Sequence, residues 1–306
     1  MLYKMLGVGI ETVSPRLADF GFRLPAPPLR QLVSTYYWLQ SGAEPIEELL
    51  HPEWTNVRFA LRGEWQWQQV RGPSLHPEKV SIFGPSNCAA SIMGAADALV
   101  LGFGLLPLGW ARLVGGPASQ LANAVCPLNA IWGPAAERLM SELRAAAGPD
   151  EWAAILDDEL LARLQHAPPP PRLLIEAYRL LGSGEIDTVE RFAAELGISE
   201  RTLERSCGPW FGFGPKTLLR RLRFLRVLDA MVQLPEGQSV GSILGEHYAD
   251  QSHFVHEFHA FMGMTPTAYL ALPRVVMRRA MAERARLLGH SMQVLHVPDE
   301  GEPALL

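Results

Sequence analysis

The apolar positions change period along the chain, and the change marks two parts. From Tyr36 to Trp110 the repeat is close to two: Val57, Phe59 and Leu61 alternate with Arg58 and Arg62, Arg62-Gly63-Glu64 offers a turn, and Trp65, Trp67 and Gln69 resume the alternation. A period of two sets one face of a strand against a core. Val80–Phe83, closed by Gly84-Pro85, and Leu99–Phe103 predict further strands. Beyond Pro107 the spacing turns helical, with a short helix over Leu108–Val114 and a longer one over Pro134–Ala147. The clearest helix of this half covers Pro149–Gln165, with Trp152, Ile155, Leu156, Leu160 and Leu164 on one face and Asp150 and Glu151 at the positive N-terminal end. That stripe packs on its own domain or meets a second copy.

Pro168-Pro169-Pro170-Pro171 then interrupts the pattern. Four prolines donate no backbone hydrogen bond and form a stiff, extended spacer. After it the chain reads as all helix. Thr188 is placed to cap a helix whose apolar face is Val189, Phe192, Ala193 and Leu196; Gly197 supplies a tight turn, Ile198 points inward, and Ser199 caps a second helix from Glu200 to about Cys207. The arrangement recurs about fifty residues later. Val240 to about Glu246 is the first helix there, Tyr248 and Ala249 lead into the turn, and Asp250 caps Gln251–Phe261, whose Phe254, Phe258 and Phe261 face inward. Pro215 opens a connecting helix that runs to about Gln233, with Leu218, Leu222, Leu225, Leu228 and Val232 as its stripe. Its length is about 28 Å at the helical rise per residue.

The expected fold class is therefore α+β. A β-rich domain with helices, barrel-like or sandwich-like, occupies 1–167, and the prolines at 168–171 link it to an all-α domain at 172–273 of two helix-turn-helix subdomains joined by a long helix; a tail follows at 274–306. A length of 306 residues agrees with two domains. Three scattered cysteines, Cys88, Cys126 and Cys207, form no metal or disulfide pattern and fit a reducing, cytoplasmic setting. Met1–Phe20 lacks the shape of a signal peptide, and the apolar run Ala98–Trp110 is too short and too interrupted to span a membrane.

Candidate chemistry is sparse. No nucleophile motif, glycine-rich phosphate loop or HExxH is present, and His51 and His76 stand apart from other ligands, so no catalytic residue, metal or cofactor is expected and the chain reads as a non-enzyme. Trp54, Trp65, Trp67, Trp110 and Trp132 are core residues or the lining of an apolar pocket. The net charge of −5 gives no global positive field, but seven basic residues face two acidic ones between Glu200 and Arg226: Arg201, Arg205, Lys216, Arg220, Arg221, Arg223 and Arg226 against Glu200 and Glu204. A local cluster on a helix-turn-helix unit points to phosphate contact.

The C-terminal part resembles the AraC family of transcription regulators over about Arg172–Leu272. The resemblance lies in Leu196-Gly197-Ile198-Ser199-Glu200-Arg201-Thr202-Leu203-Glu204-Arg205, in Phe211-Gly212-Phe213-Gly214-Pro215, in Leu219-Arg220-Arg221-Leu222-Arg223, and in Asp250-Gln251-Ser252-His253-Phe254 followed by Phe258 and Gly263-Met264-Thr265-Pro266-Thr267-Ala268-Tyr269. It implies double-stranded DNA as partner, with each second helix entering one of two adjacent major grooves. The expected DNA-facing residues are Arg201, Thr202, Glu204 and Arg205 in the first unit, Arg220 and Arg221 on the connector, and Gln251, Ser252, His253 and His256 in the second unit. The first half is similar to the β-rich sensor domains of some members, most of all over Leu99–Gly133, which admits a small-molecule effector and a homodimer partner and leaves no role for a membrane.

Departures from the family pattern sharpen these expectations. Cys207-Gly208-Pro209-Trp210 replaces a cationic end of the first recognition helix, and Pro209 is expected to end or distort it early. His247, His256 and His259 stand where the family carries glycine or cations. Histidines are largely neutral at pH 7, so the second unit is expected to hold phosphate weakly, and acidification to strengthen it. The spacing of His253, His256 and His259 also fits a metal site, an idea set against altered DNA-facing positions. The arginine-rich tail, Arg274 to Arg286, is a solvated helix or a contact to the DNA backbone, and the residues from Pro298 are expected to be disordered. The alternative to a regulator is a ligand-binding protein or enzyme whose helix-turn-helix domain has lost DNA affinity.

Overall fold

A computed structural model describes residues 19–72, 74–234, 241–245, 248, 250–273, 275–292 and 295. Nine strands form two antiparallel sheets: β1 (Asp19–Arg23), β2 (Val33–Gln40), β3 (Ile46–Leu50), β4 (Thr55–Arg62), β5 (Trp65–Gln69), β6 (Val80–Phe83), β7 (Ala90–Gly94), β8 (Leu99–Leu105) and β9 (Val125–Pro127). The larger sheet has the order β1-β2-β8-β4-β6-β9 and the smaller β3-β7-β5. Trp65, Trp67, Phe83, Ile92 and Val100 form a buried cluster between them, which makes the unit a sandwich.

The centre of the larger sheet is covered on both faces. Val57, Phe59, Leu101 and Phe103 belong to a second buried cluster on the far side, where helices pack. A strand buried on two faces has no polar side to alternate with, which is why every residue of β8 is buried. The helices of this half are α1 (Pro107–Gly109), running into a π-helical turn at Trp110–Val114, then α2 (Asn129–Trp132), α3 (Ala135–Ala145) and α4 (Pro149–His166). The α4 stripe packs within its own chain: Leu156 and Leu160 are fully buried, and Asp157 accepts from Tyr36 Oη at 2.6 Å and Ala26 N at 2.8 Å. Trp54, Trp65, Trp67, Trp110 and Trp132 are all core residues.

After the prolines come α5 (Arg172–Ser183), α6 (Val189–Glu195), α7 (Glu200–Phe211), the long α8 (Pro215–Gln233), α9 (Gly241–Leu244), α10 (Gln251–Met262), α11 (Pro266–Ala271) and α12 (Val275–Leu288). The proline run does not separate two cores. One apolar cluster continues from Leu29 and Val57 through Leu174, Tyr178, Phe192, Leu203 and Phe211 to Leu222.

The helical domain is docked on the β-domain at α7 and α10. α7 ends at Gly212 (φ 88°) and α10 at Gly263 (φ 73°), each in the left-handed region where glycine is the natural cap. Both caps touch the other domain: a Cβ on Gly212 would collide with the Pro85 ring, and one on Gly263 would stand 2.9 Å from Val70 Cβ. Ala89 N donates to Phe261 O at 2.7 Å beside the second cap.

Arg221 sits at the centre of this interface. Its side chain is fully buried, Nε donates to Ser86 O at 2.9 Å, Nη2 donates to Pro52 O at 3.3 Å, and the guanidinium lies 4.1 Å from the Trp54 ring centroid. Burial pulls its pKa below the ordinary arginine value, with the Glu53 carboxylate acting in the opposite sense.

The tail is neither a solvated helix nor placed as a free arm. α12 lies across β1 and β3 with Val276 and Met281 buried, Val276 N donating to Glu48 Oε1 at 2.8 Å, and Arg279 and Arg284 over the rings of Phe20 and Phe22. Its apolar face found a partner that a charge count does not reveal. The residues from Pro298 lie outside those described.

The two kinds of turn glycine separate experimentally. Gly197 (φ 65°) has nothing within 4 Å of its virtual Cβ, so Gly197→Ala carries backbone strain alone, about 1 kcal/mol. Gly212→Ala adds the collision with Pro85 and is expected to exceed it by at least about 1 kcal/mol in urea unfolding. Equal losses would mean that the cap does not press on the β-domain.

Candidate nucleic-acid interface

Local side-chain chemistry places α7 and α10, the second helix of each unit. Thr188 caps α6 by accepting from Arg191 N, and Ser199 caps α7 by accepting from Thr202 N at 3.2 Å. Asp250 caps α10 by accepting from His253 N at 2.8 Å. Each cap satisfies an amide that the helix itself leaves open. Leu203, Cys207 and Phe211 anchor α7 on one face, while Arg201, Glu204 and Arg205 on the other are exposed; Thr202 is half-buried, its hydroxyl 2.9 Å from Ser199 Oγ.

Pro209 does not stop α7, which continues to Phe211. The missing N–H falls two residues before the helix ends, on an exposed position, and Gly212 N closes the last turn on Gly208 O at 2.9 Å. The cost is one solvent-side hydrogen bond.

In the second unit, Phe254, Phe258 and Phe261 pack inward, with Phe224 of α8 stacked on Phe261 at 4.7 Å and edge-on to Phe258 at 5.5 Å. Gln251, Ser252, His253 and His256 are exposed, and Gln251, Ser252 and His256 line one shallow depression with Val255. The position of His247 lies outside the described residues. His259 faces the β-domain, where Arg71 Nη2 donates to its Nδ1 at 2.8 Å. Among the described residues no group of three or more metal-type side chains converges, and His253 stands 3.6 Å from Glu257.

The basic cluster is not one surface. Arg221, expected at DNA, is buried at the domain interface and is not available to phosphate in this arrangement. Arg226 donates to Leu181 O at 2.9 Å, and burial lowers its pKa. Arg220 and Arg223 pair with Glu257 at 3.3 and 2.9 Å. Arg201, Arg205 and Lys216 remain exposed, and none of the three has an ion pair or hydrogen bond from its side chain among the described residues.

Glu257 is the residue that sequence reasoning missed. Its side chain is buried, and besides the two arginines it accepts from Tyr248 Oη at 3.1 Å. Its position carried a signal. Glu257 is three residues after Phe254 and four before Phe261, on the apolar face itself, where a charge survives only if paired. Arg221 carries the same signal, three residues after Leu218 and four before Leu225.

Two capped helices, each anchored by aromatic or apolar residues and each turning polar side chains outward, joined through a rigid helix, define a tandem helix-turn-helix domain. Residues 192–271 match the helix-turn-helix domain family, and the strings that resemble AraC regulators fall on these same elements. The chain thus carries, at residues 192–271, a helix-turn-helix domain, a module of DNA-binding transcription regulators.

Among solved structures, two of ToxT from Vibrio cholerae are similar at 11% and 13% identity, covering 83% and 82% of this chain and 96% and 98% of theirs, both with a TM-score of 0.43. The AraC-like transcriptional activator CuxR matches at 18% identity over 74% of this chain and 90% of its own, with a TM-score of 0.23. No curated protein matches the sequence. Among the described residues no helix is long and apolar enough to cross a membrane.

The Glu257 hub is testable by itself. Glu257→Gln keeps the shape but removes the charge shared by Arg220 and Arg223, whose side chains are 42% and 31% exposed and so recover part of their hydration. The expected loss is about 1–3 kcal/mol in urea unfolding, with faster amide exchange in α10 than in α7. An unchanged midpoint would show that the hub contributes no net stability.

Proposed function

We propose that the chain is a sequence-specific regulator in which α7 and α10 enter adjacent major grooves of double-stranded DNA, and in which the β-domain senses a small molecule. The observation that supports this most is the exposure of Arg201, Glu204 and Arg205 on a capped helix whose opposite face is fully buried. Arginine reads guanine edges or grips phosphate, and a helix fixed at both ends offers it in one orientation.

The free cations distribute the work unevenly. Arg201, Arg205 and Lys216 belong to the first unit and the start of the connector, whereas the second unit presents Gln251, Ser252, His253 and His256. The first unit supplies most of the phosphate attraction, and the second supplies hydrogen-bonding groups suited to base edges. A homodimer and a cytoplasmic location suit this reading; the packing of the α4 stripe within the chain argues for a dimer contact elsewhere.

The inward-turned arginines favour one other reading, a ligand-binding protein whose helix-turn-helix domain no longer grips DNA. Selection of bound fragments from genomic DNA at low salt, followed by affinity measured against salt, separates the two. Arg201→Ala and Arg205→Ala are each expected to cost about 1–3 kcal/mol of binding, and Lys216→Ala to lower the salt slope by about one. Arg221→Ala and Arg226→Ala are expected to leave the slope unchanged. Failure to retain any fragment at low salt would overturn the regulator reading in favour of the other.

A further inference from the structure

A cavity of about 120 Å³ lies between the β-domain and α12. Its walls are apolar, with Phe20 and Phe22 of β1, Trp38 of β2 and Met277 and Met281 of α12 among them. One end is polar, formed by Tyr37, Glu53, Arg58 and Arg284. The cavity thus exists only because the helix that follows the DNA-binding domain closes over the sheet.

The hydrogen bonds at the polar end are unequally used. Arg58 donates to Tyr37 Oη at 3.0 Å and pairs with Glu53 at 2.5 Å. Burial works against the Arg58 charge, but Glu53 and Tyr37 more than offset it, so its pKa stands above the ordinary arginine value; burial pushes Tyr37 up to about 12. Glu48, a further lining acid, accepts the Val276 amide, and His51 is bonded to Tyr269 Oη at 2.8 Å. Arg284 differs. It lies 5.4 Å from the Phe22 ring centroid and makes no hydrogen bond or ion pair among the described residues. It lines the cavity with burial pulling its pKa down and Glu53 and Tyr37 acting in the opposite sense, and in so apolar a setting a charge-assisted bond to an anion is strong.

We propose that this cavity binds a small organic acid, a short-chain carboxylate, with its carboxylate on Arg284 and its apolar part among Phe20, Phe22 and Met281. The size sets the class: an apolar cavity of about 150 Å³ holds a benzene ring, so about 120 Å³ admits an acid of about three or four carbons and excludes an aromatic acid or a long acyl chain. The site also lies close to the domain interface. Arg58 holds Glu53, Glu53 N donates to Ser86 Oγ at 2.9 Å, and Ser86 O accepts from Arg221. A ligand that holds α12 down is two residues removed from the arginine that docks the DNA-binding domain. The proposal rests on the sensor reading of the β-domain and names its ligand.

The test uses the full chain without DNA, so its outcome is independent of whether the chain binds DNA. Propionate and butyrate are titrated against propanol and butanol, followed by tryptophan fluorescence and thermal unfolding. The acids are expected to bind at least about ten-fold more tightly than the alcohols and to raise Tm. Arg284→Met is expected to reduce the preference to within about two-fold, while Arg284→Lys, which keeps the charge, retains it; the lysine variant serves as the folded control. Equal binding of acids and alcohols, an acid preference that persists in Arg284→Met, or no binding by either acid at millimolar concentration would each overturn the assignment.

Discussion

The structure depends on a single buried arginine. Arg221 carries a charge into the contact between two domains and is held there by two backbone carbonyls and one indole ring. A buried guanidinium with fewer partners would oppose folding, because desolvating it is costly. Its presence therefore ties the geometry of the helical domain to the loops after β3 and β6, which supply Pro52 and Ser86. The caps at Gly212 and Gly263 take up the same contact on either side. α7 and α10 end on one surface, and that surface orients both.

The same constraint explains how charge is divided. The connecting helix has four arginines between Arg220 and Arg226, but its neighbours claim them: the β-domain takes Arg221, α5 takes Arg226, and Glu257 takes Arg220 and Arg223. What remains outward is a short basic row at the first unit. A regulator built this way obtains rigidity from residues that a sequence count assigns to DNA attraction. The net charge of −5 is compatible with the proposed function, in which attraction comes from a few well-placed cations.

What could be read from the sequence was local. The caps at Thr188, Ser199 and Asp250, the limits of α8 at Pro215 and Gln233, and the strands β4, β5, β6 and β8 follow from neighbouring residues, because capping and periodicity act within a turn or two. The destinations of polar side chains were not local. Arg221 finds Ser86 and Pro52, 135 and 169 positions away, and α12 finds β1 and β3 at the opposite end of the chain. Pro209 also shows how position decides: a proline that would break a helix interior is tolerated near an exposed C-terminal turn. The useful lesson lies in the apolar stripes. Arg221 and Glu257 each interrupt one, and a charge in such a place implies a partner from elsewhere in the fold.

The central claim, that Arg221 joins the two domains into one cooperative body, is tested by unfolding with two probes. Seven of the eight tryptophans precede the proline run, so fluorescence follows the β-rich part, while ellipticity at helical wavelengths follows the rest. The wild-type chain is expected to show coincident urea transitions by both probes. In Arg221→Ala the two curves are expected to separate, with the helical domain unfolding at lower urea. Coincident curves with an unchanged midpoint in the variant would contradict the account.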